Sequence, residues 1–223
     1  AIFSLESSKE QVALRLLCAQ SRVSYHHIRT GRVPDTDWPK LSISAGLLAD
    51  AQVYVDDSPS LSVLELRAKA RRLARKFGIK LIVVDYLQMM RGHKRAENRQ
   101  QEISMISQGL KALAKELNMP VVAISQLSRK TEDRPGKRPE LSDLRESGSI
   151  EQDADLVMMV YRPEFYEIEK FSDHTPSEGV AEIRILKHRN GPTGDVKLKF
   201  FKEYTTFGDL SLQKEPVGEE APF

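Results

Sequence analysis

Asp85 closes the hydrophobic run Leu81-Ile82-Val83-Val84. Open α/β sheets place their ligand sites at the carboxyl ends of the strands. Nucleotide hydrolysis needs an acid there to hold magnesium through its water shell, because the metal bridges the phosphates and offsets the charge that develops on them. The alternative is an Asp that caps the turn after the strand. Glu6 directly follows Ile2–Leu5 and shares that edge if the two strands are neighbours. One acid can then serve the metal while the other activates water. The competing place for Glu6 is the first turn of a helix over Lys9–Ala19, where the helix dipole favours an acid, and spacing alone prefers it. Gln126 ends a third apolar run, Val121–Ile124, with an amide able to donate and to accept, suited to sensing a γ-phosphate or simply to meeting water. Lys187, His188 and Arg189 precede a turn, where a planar Arg fork can reach phosphate oxygens, including those bound by a neighbouring subunit. Solvated edge-strand charges are the plainer account. The histidines show no metal-ligand spacing with Cys18, His26-His27 reads as loop surface, and no Ser-His-Asp arrangement can be inferred.

These residues need strands and helices to hold them. Short apolar runs at Ile2–Leu5, Val53–Val55, Leu81–Tyr86, Val121–Ile124 and Leu156–Tyr161 are expected to be strands buried on both faces. Between them, Val63, Leu66, Ala70, Leu73 and Phe77 share one face of a helix that Ser62 and Glu65 cap. Ile103, Ile106, Leu110, Leu113 and Leu117 form a second helical stripe, closed by Asn118 and Pro120. Alternating strands and helices predict a mainly parallel sheet covered by helices on both faces. Ala181–Lys187 and Val196–Phe201 flank Gly191-Pro192-Thr193-Gly194 as a hairpin, which adds antiparallel strands at the carboxyl-terminal end. Arg91–Arg99, with four Arg or Lys and His93, and Ser128–Arg138, with five basic residues, read as mobile loops on the functional edge.

The chain has 223 residues, 40% hydrophobic and 30% charged, and no apolar run approaches the roughly 18 residues of a membrane span. One domain is expected over residues 1–208, followed by a polar tail, 209–223, too poor in apolar residues to build a core. A single cysteine, Cys18, excludes an internal disulfide and fits a reducing cytoplasm. Lys and Arg total 34 against 32 Asp and Glu. That near balance leaves any polyanion site to local clustering. The sequence opens at Ala1 without an initiator Met or a signal or transit peptide and runs straight into a strand, as expected of a fragment.

Seen together, these residues sit in familiar surroundings. Phe3-Ser4-Leu5-Glu6, Arg29-Thr30-Gly31, Leu64–Arg71, Val83-Val84-Asp85-Tyr86-Leu87-Gln88, Glu97–Ile103, Ser125–Arg129, Ser142–Asp155 and Lys187–Gly194 closely resemble the bacterial replicative hexameric DNA helicases. The resemblance runs in order over about residues 1 to 207, and its 143–155 stretch is highly specific. It implies a RecA-like ATPase core that hydrolyses ATP with Mg2+ at the interfaces of a homo-hexameric ring and moves on single-stranded DNA. Glu6 would activate water, Asp85 would hold magnesium through water, and Gln126 would couple phosphate state to the DNA loops. Lys187 and Arg189 would act in trans on the neighbour's nucleotide. Arg91, Lys94, Arg95 and Arg99, with Arg145, Glu146 and Gly148, would track DNA phosphates in the central channel. A helicase loader and primase are the implied partners, primase mainly through an amino-terminal domain that this sequence does not contain.

Two departures stand out. Ser7 occupies a position where the family usually has Met, beside the catalytic Glu but outside its chemistry. The phosphate-cradling pattern G-x-x-x-x-G-K-[ST] does not occur, since the lone Gly-Lys pair, Gly136-Lys137, is followed by Arg138. In the family that pattern lies ahead of Ile2, so the fold is expected to lack its first strand, P-loop and first helix, and this chain alone is expected to be inactive. Alternative readings are a recombinase-like or clock-type ATPase of the RecA class, without the 143–155 run, and a non-hydrolysing DNA-binding or assembly module.

Overall fold

A computed structural model describes residues 1–92 and 96–210, with the backbone alone at 145–147. Four parallel strands form the first sheet: β1 (Ile2–Ser4), β2 (Val55–Asp56), β3 (Ile82–Asp85) and β4 (Val121–Ala123), in the order β2-β1-β3-β4. The antiparallel strands expected at the carboxyl-terminal end make a second sheet, ordered β5 (Leu156–Tyr161), β6 (Val180–His188), β7 (Gly194–Phe201) and β8 (Thr206–Gly208).

The helices are α1 (Lys9–Ser21), α2 (Tyr25–Thr30), α3 (Trp38–Asp50), α4 (Val63–Phe77), α5 (Arg99–Leu117) and α6 (Gly148–Asp153). α4 begins where Ser62 and Glu65 form a reciprocal capping box and ends at Gly78, whose φ of 65° lets the chain turn without a Cβ penalty. Its stripe and that of α5 meet Phe3, Leu5, Ile82 and Val84 to make the main core. The two helices pack closely at Gly109, where an added Cβ would lie 2.5 Å from Val63 Cγ1. β2 is fastened to α4 by stacking of Tyr54 on Phe77 and by the Lys69–Asp56 ion pair of 2.6 Å. Leu113 is fully buried in this core, so Leu113→Ala should lower stability by about 2–5 kcal/mol. A urea transition with an unchanged midpoint would contradict that placement.

The expectation that every apolar run is a strand buried on both faces fails: Val53 and Leu81 are exposed at the starts of their runs, and two strands are uncovered on one face. β5 alternates, with Val157, Met159 and Tyr161 buried and Leu156, Met158 and Val160 exposed. On the β4 side Val122 and Ile124 are exposed as well. An apolar run reports that a strand avoids water, but not whether both of its faces find cover.

The segment Ser128–Arg138, expected as a mobile loop, is anchored. Ser128 caps a short 3-10 turn over Arg129–Asp133, and Arg134 makes a two-pronged bond to Asp143 at 2.9 and 3.2 Å. Arg138 reaches Glu182 of β6 and Asp195 of β7, at 2.9 and 2.7 Å. Burial works against the charge on Asp143, yet Arg134 and the Glu140 N–H hold its carboxyl below the usual range. Two of the five basic residues that suggested a solvated loop anchor it instead, Arg134 to Asp143 and Arg138 to the second sheet. Of the tail, residues 211–223 lie outside the described residues.

Candidate functional site

Strand pairing brings the two predicted carboxylates together. Ser4 is in register with Asp85, and the Leu5 N–H donates to the Asp85 carbonyl at 2.6 Å, so Glu6 leaves β1 beside the end of β3. Glu6 is not in the helix. α1 starts at Lys9 with Ser8 as its N-cap, and Glu10 is the acid of the first turn. The turn that carries Glu6 is held by the Ser4 hydroxyl, which donates to the Ser7 carbonyl at 2.7 Å, and by Asp57, which accepts from the Lys9 N–H at 3.0 Å. Ser7 serves this turn through its backbone, which any residue supplies.

β4 adds the third residue. The Ile124 N–H donates to the Val84 carbonyl and the Leu87 N–H to the Ile124 carbonyl, both at 2.9 Å. Glu6, Asp85 and Gln126 therefore emerge from the carboxyl ends of three adjacent parallel strands. Gln126 is exposed, and its backbone is gripped by Gln88, which accepts from the Gln126 N–H at 3.2 Å and donates to the Gln126 carbonyl at 3.4 Å, with a further bond to the Ser125 hydroxyl at 3.0 Å.

Lys187 and Arg189 belong to the second sheet, and they are more than solvated edge charges. The Lys187 ammonium donates to the carbonyls of Glu151 and Gln152, and Arg189 Nη2 donates to that of Gln152 at 2.5 Å. Both cations thus cap the carboxyl-terminal end of α6, where the helix dipole favours positive charge. Arg189 Nη1 also lies 3.2 Å from Asp155, whose carboxyl Lys111 and then Arg189 hold below the usual range. Among the described residues, no hydrogen bond or ion pair joins either cation to Glu6, Asp85 or Gln126.

The candidate DNA residues divide three ways. Arg91 is exposed, with its backbone N–H donating to the Leu61 carbonyl at 3.1 Å. Arg99 opens α5, pairs with Glu102 and donates from Nη2 to the Gln88 carbonyl at 2.5 Å. Lys94 and Arg95 lie outside the described residues, as do the side chains of Arg145 and Glu146, while Gly148 begins α6. Among the described residues no group of three or more His, Cys, Asp or Glu could hold a metal ion. The donor set at the edge suits magnesium, which takes one or two carboxylates and leaves its other positions to water and phosphate. Asp56, Asp57, Gln88 and Glu102, which shape this edge, were not singled out by the sequence reading. The doublet Asp56-Asp57 directly after Val53–Val55 was the available signal.

Residues 1–209 match the family described as DnaB-like helicase C terminal domain. The chain belongs to that family. Replicative DNA helicase DnaB of Geobacillus stearothermophilus is 50% identical over 211 residues, which are 94% of this chain and 45% of that protein. Replicative DNA helicase DnaC of Bacillus subtilis (strain 168) is 48% identical over 219 residues, 98% of this chain and 47% of the relative. This DnaB-like domain therefore spans a little under half the length of those relatives. Among solved structures, one described as an ATPase domain is 38% identical with a TM-score of 0.87, over 94% of this chain and 73% of that one. A DnaB-like replicative helicase, described together with its interactions with primase, is likewise 38% identical with a TM-score of 0.87, over 94% of this chain and 50% of the other. The DnaB-like domain has the RecA-like fold expected of it, with a parallel sheet followed by antiparallel strands. Among the described residues no helix is long and apolar enough to cross a membrane.

Proposed function

We propose that the chain is the carboxyl-terminal motor portion of a cytoplasmic replicative DNA helicase, coupling ATP hydrolysis at the interfaces of a homo-hexameric ring to movement on single-stranded DNA. The observation that carries this reading is the convergence of Glu6, Asp85 and Gln126 on one edge of the parallel sheet, with Lys187 and Arg189 held on a different sheet. The Glu6 carboxylate takes the proton of the attacking water, which its freedom from the α1 helix permits. Asp85 holds Mg2+ through water, and the metal supplies positive charge against the phosphate oxygens. Gln126 meets the γ-phosphate, and Lys187 and Arg189 complete a neighbouring subunit's site. Arg91, Lys94, Arg95, Arg99, Arg145, Glu146 and Gly148 line the DNA path. A helicase loader and primase are the proposed partners, and the likeness to a helicase described with primase supports the second.

Without the G-x-x-x-x-G-K-[ST] pattern the β- and γ-phosphates lack their backbone cradle. This 223-residue chain by itself should therefore show no DNA-stimulated ATPase above background. Chain-dependent turnover that Glu6→Gln abolishes would overturn that expectation. The decisive test of the DNA assignment uses the full-length protein with Arg91→Ala and Arg145→Ala. Each should weaken single-strand binding about equally on any base sequence and lower the salt slope by about one. A strong base preference, or full binding by a monomeric variant, would remove these residues from the channel.

A further inference from the structure

We propose that Asp155 is a positioning residue for Arg189: its carboxylate, anchored by Lys111, sets the direction in which the guanidinium leaves the second sheet toward a neighbouring subunit's nucleotide. The inference rests on the functional reading of Arg189 given above and adds the residues that aim it.

The contact begins in the backbone. The register that pairs Leu156 of β5 with His188 of β6 sets Asp155 opposite Arg189, and the Arg189 N–H donates to the Asp155 carbonyl at 2.9 Å. The ladder thus runs one residue past both strand ends and fixes the root of the Arg189 side chain. Its far end is held at two points. Nη1 donates to Asp155 Oδ1 at 3.2 Å and Nη2 to the Gln152 carbonyl at 2.5 Å. A guanidinium is planar and carries its N–H donors in a fixed fork, so two bonds set its plane and leave further donors for an outside acceptor. The Arg189 side chain is 46% exposed, so such an acceptor can approach it.

Asp155 is itself aimed. Its Oδ2 accepts from the Lys111 ammonium, and Lys111 extends from α5 beside Leu110, which is buried in the main core. One carboxylate therefore bridges a cation rooted in a core helix and a cation at the end of β6. Among the described residues Asp155 pairs with these two, while the Lys187 ammonium is taken up by the Glu151 and Gln152 carbonyls. The Asp155 side chain is 59% exposed, and an ion pair so open to water adds little to stability. Its removal should leave the fold intact. Asparagine keeps the shape but turns one acceptor oxygen into a donor, so it cannot face two cations at once.

The test uses the full-length protein and measures turnover, nucleotide binding and thermal unfolding of Asp155→Asn, Arg189→Ala and the double variant. Asp155→Asn should lower turnover by about 10- to 100-fold, the scale of a reacting group misplaced by about an ångström, with nucleotide binding and thermal stability unchanged. The double variant should turn over within about twofold of Arg189→Ala, because a group that acts only by aiming another has nothing left to do once the other is gone. Should Asp155→Asn fail to fold, Lys111→Met, which frees the carboxylate from α5, is read in the same way. Wild-type turnover in Asp155→Asn overturns the positioning role and leaves Arg189 as the trans cation. Losses that multiply in full in the double variant overturn it too, as does a loss of turnover that only tracks a loss of thermal stability. Wild-type turnover in Arg189→Ala overturns the trans reading and the positioning role together.

Discussion

In the full-length protein, Glu6→Gln should leave nucleotide binding nearly intact and cut turnover by roughly 10²–10⁴-fold, the usual contribution of a positioned general base. Asp85→Asn should weaken magnesium-dependent nucleotide binding itself. The difference follows from geometry. Glu6 stands on an exposed turn outside α1, free to meet water, whereas Asp85 is the last residue of the strand beside it and half-buried. An amide in place of Glu6 keeps the shape and loses the base. An amide in place of Asp85 loses the charge that a magnesium water shell needs. Nucleotide titration with and without magnesium, set beside single-turnover hydrolysis, separates the two. Equal loss of binding in both variants would refute this division of labour.

Arg189→Ala should reduce turnover by about 10³-fold or more, the scale of an arginine finger, with little change in nucleotide binding by isolated subunits. Such a residue completes its neighbour's site, so mixing is informative. Subunits with Arg189→Ala contribute a working Glu6 to an interface whose finger comes from a Glu6→Gln partner, and mixed rings should regain hydrolysis that neither parent shows. Within one chain Arg189 caps α6 and pairs with Asp155, so thermal unfolding of the variant is measured alongside. If co-assembled rings stay inactive at every ratio while the variant is also unstable, Arg189 is a clamp on α6 and not a finger.

The parts of this molecule that the sequence made legible are those where periodicity and capping agree. The α4 stripe with Ser62 and Glu65, and the α5 stripe closed by Asn118, appear as read, because burial and local hydrogen bonding select the same registers. Glu6, Asp85 and Gln126 were each ambiguous alone. Their meeting depends on β1 lying beside β3 and β3 beside β4, a pairing that no local pattern contains. Burial was harder to read: Leu156–Tyr161 is apolar throughout, yet only alternate residues are covered. Gln88 was quoted within a resembling stretch but given no role, for a related reason. A glutamine after a strand looks like any solvated side chain until the backbone it grips, 38 residues onward, is known. The basic run Ser128–Arg138 misled in the opposite direction, since its carboxylate partners Glu182 and Asp195 lie far along the chain.

The order of the parallel sheet also sets an order of assembly. Of its four described strands β1 is synthesised before the other three, yet it lies inside the sheet, and the Val83 N–H of β3 reaches back to donate to the Ala1 carbonyl at 2.8 Å. On a ribosome adding about 5–20 residues per second, Glu6 waits several seconds before the strand that completes its surroundings exists. Closing so long a loop carries an entropic penalty that grows only slowly with its length and that non-local burial offsets. Glu6 is thus made well before the neighbours, Asp85 and Gln126, that share its sheet edge.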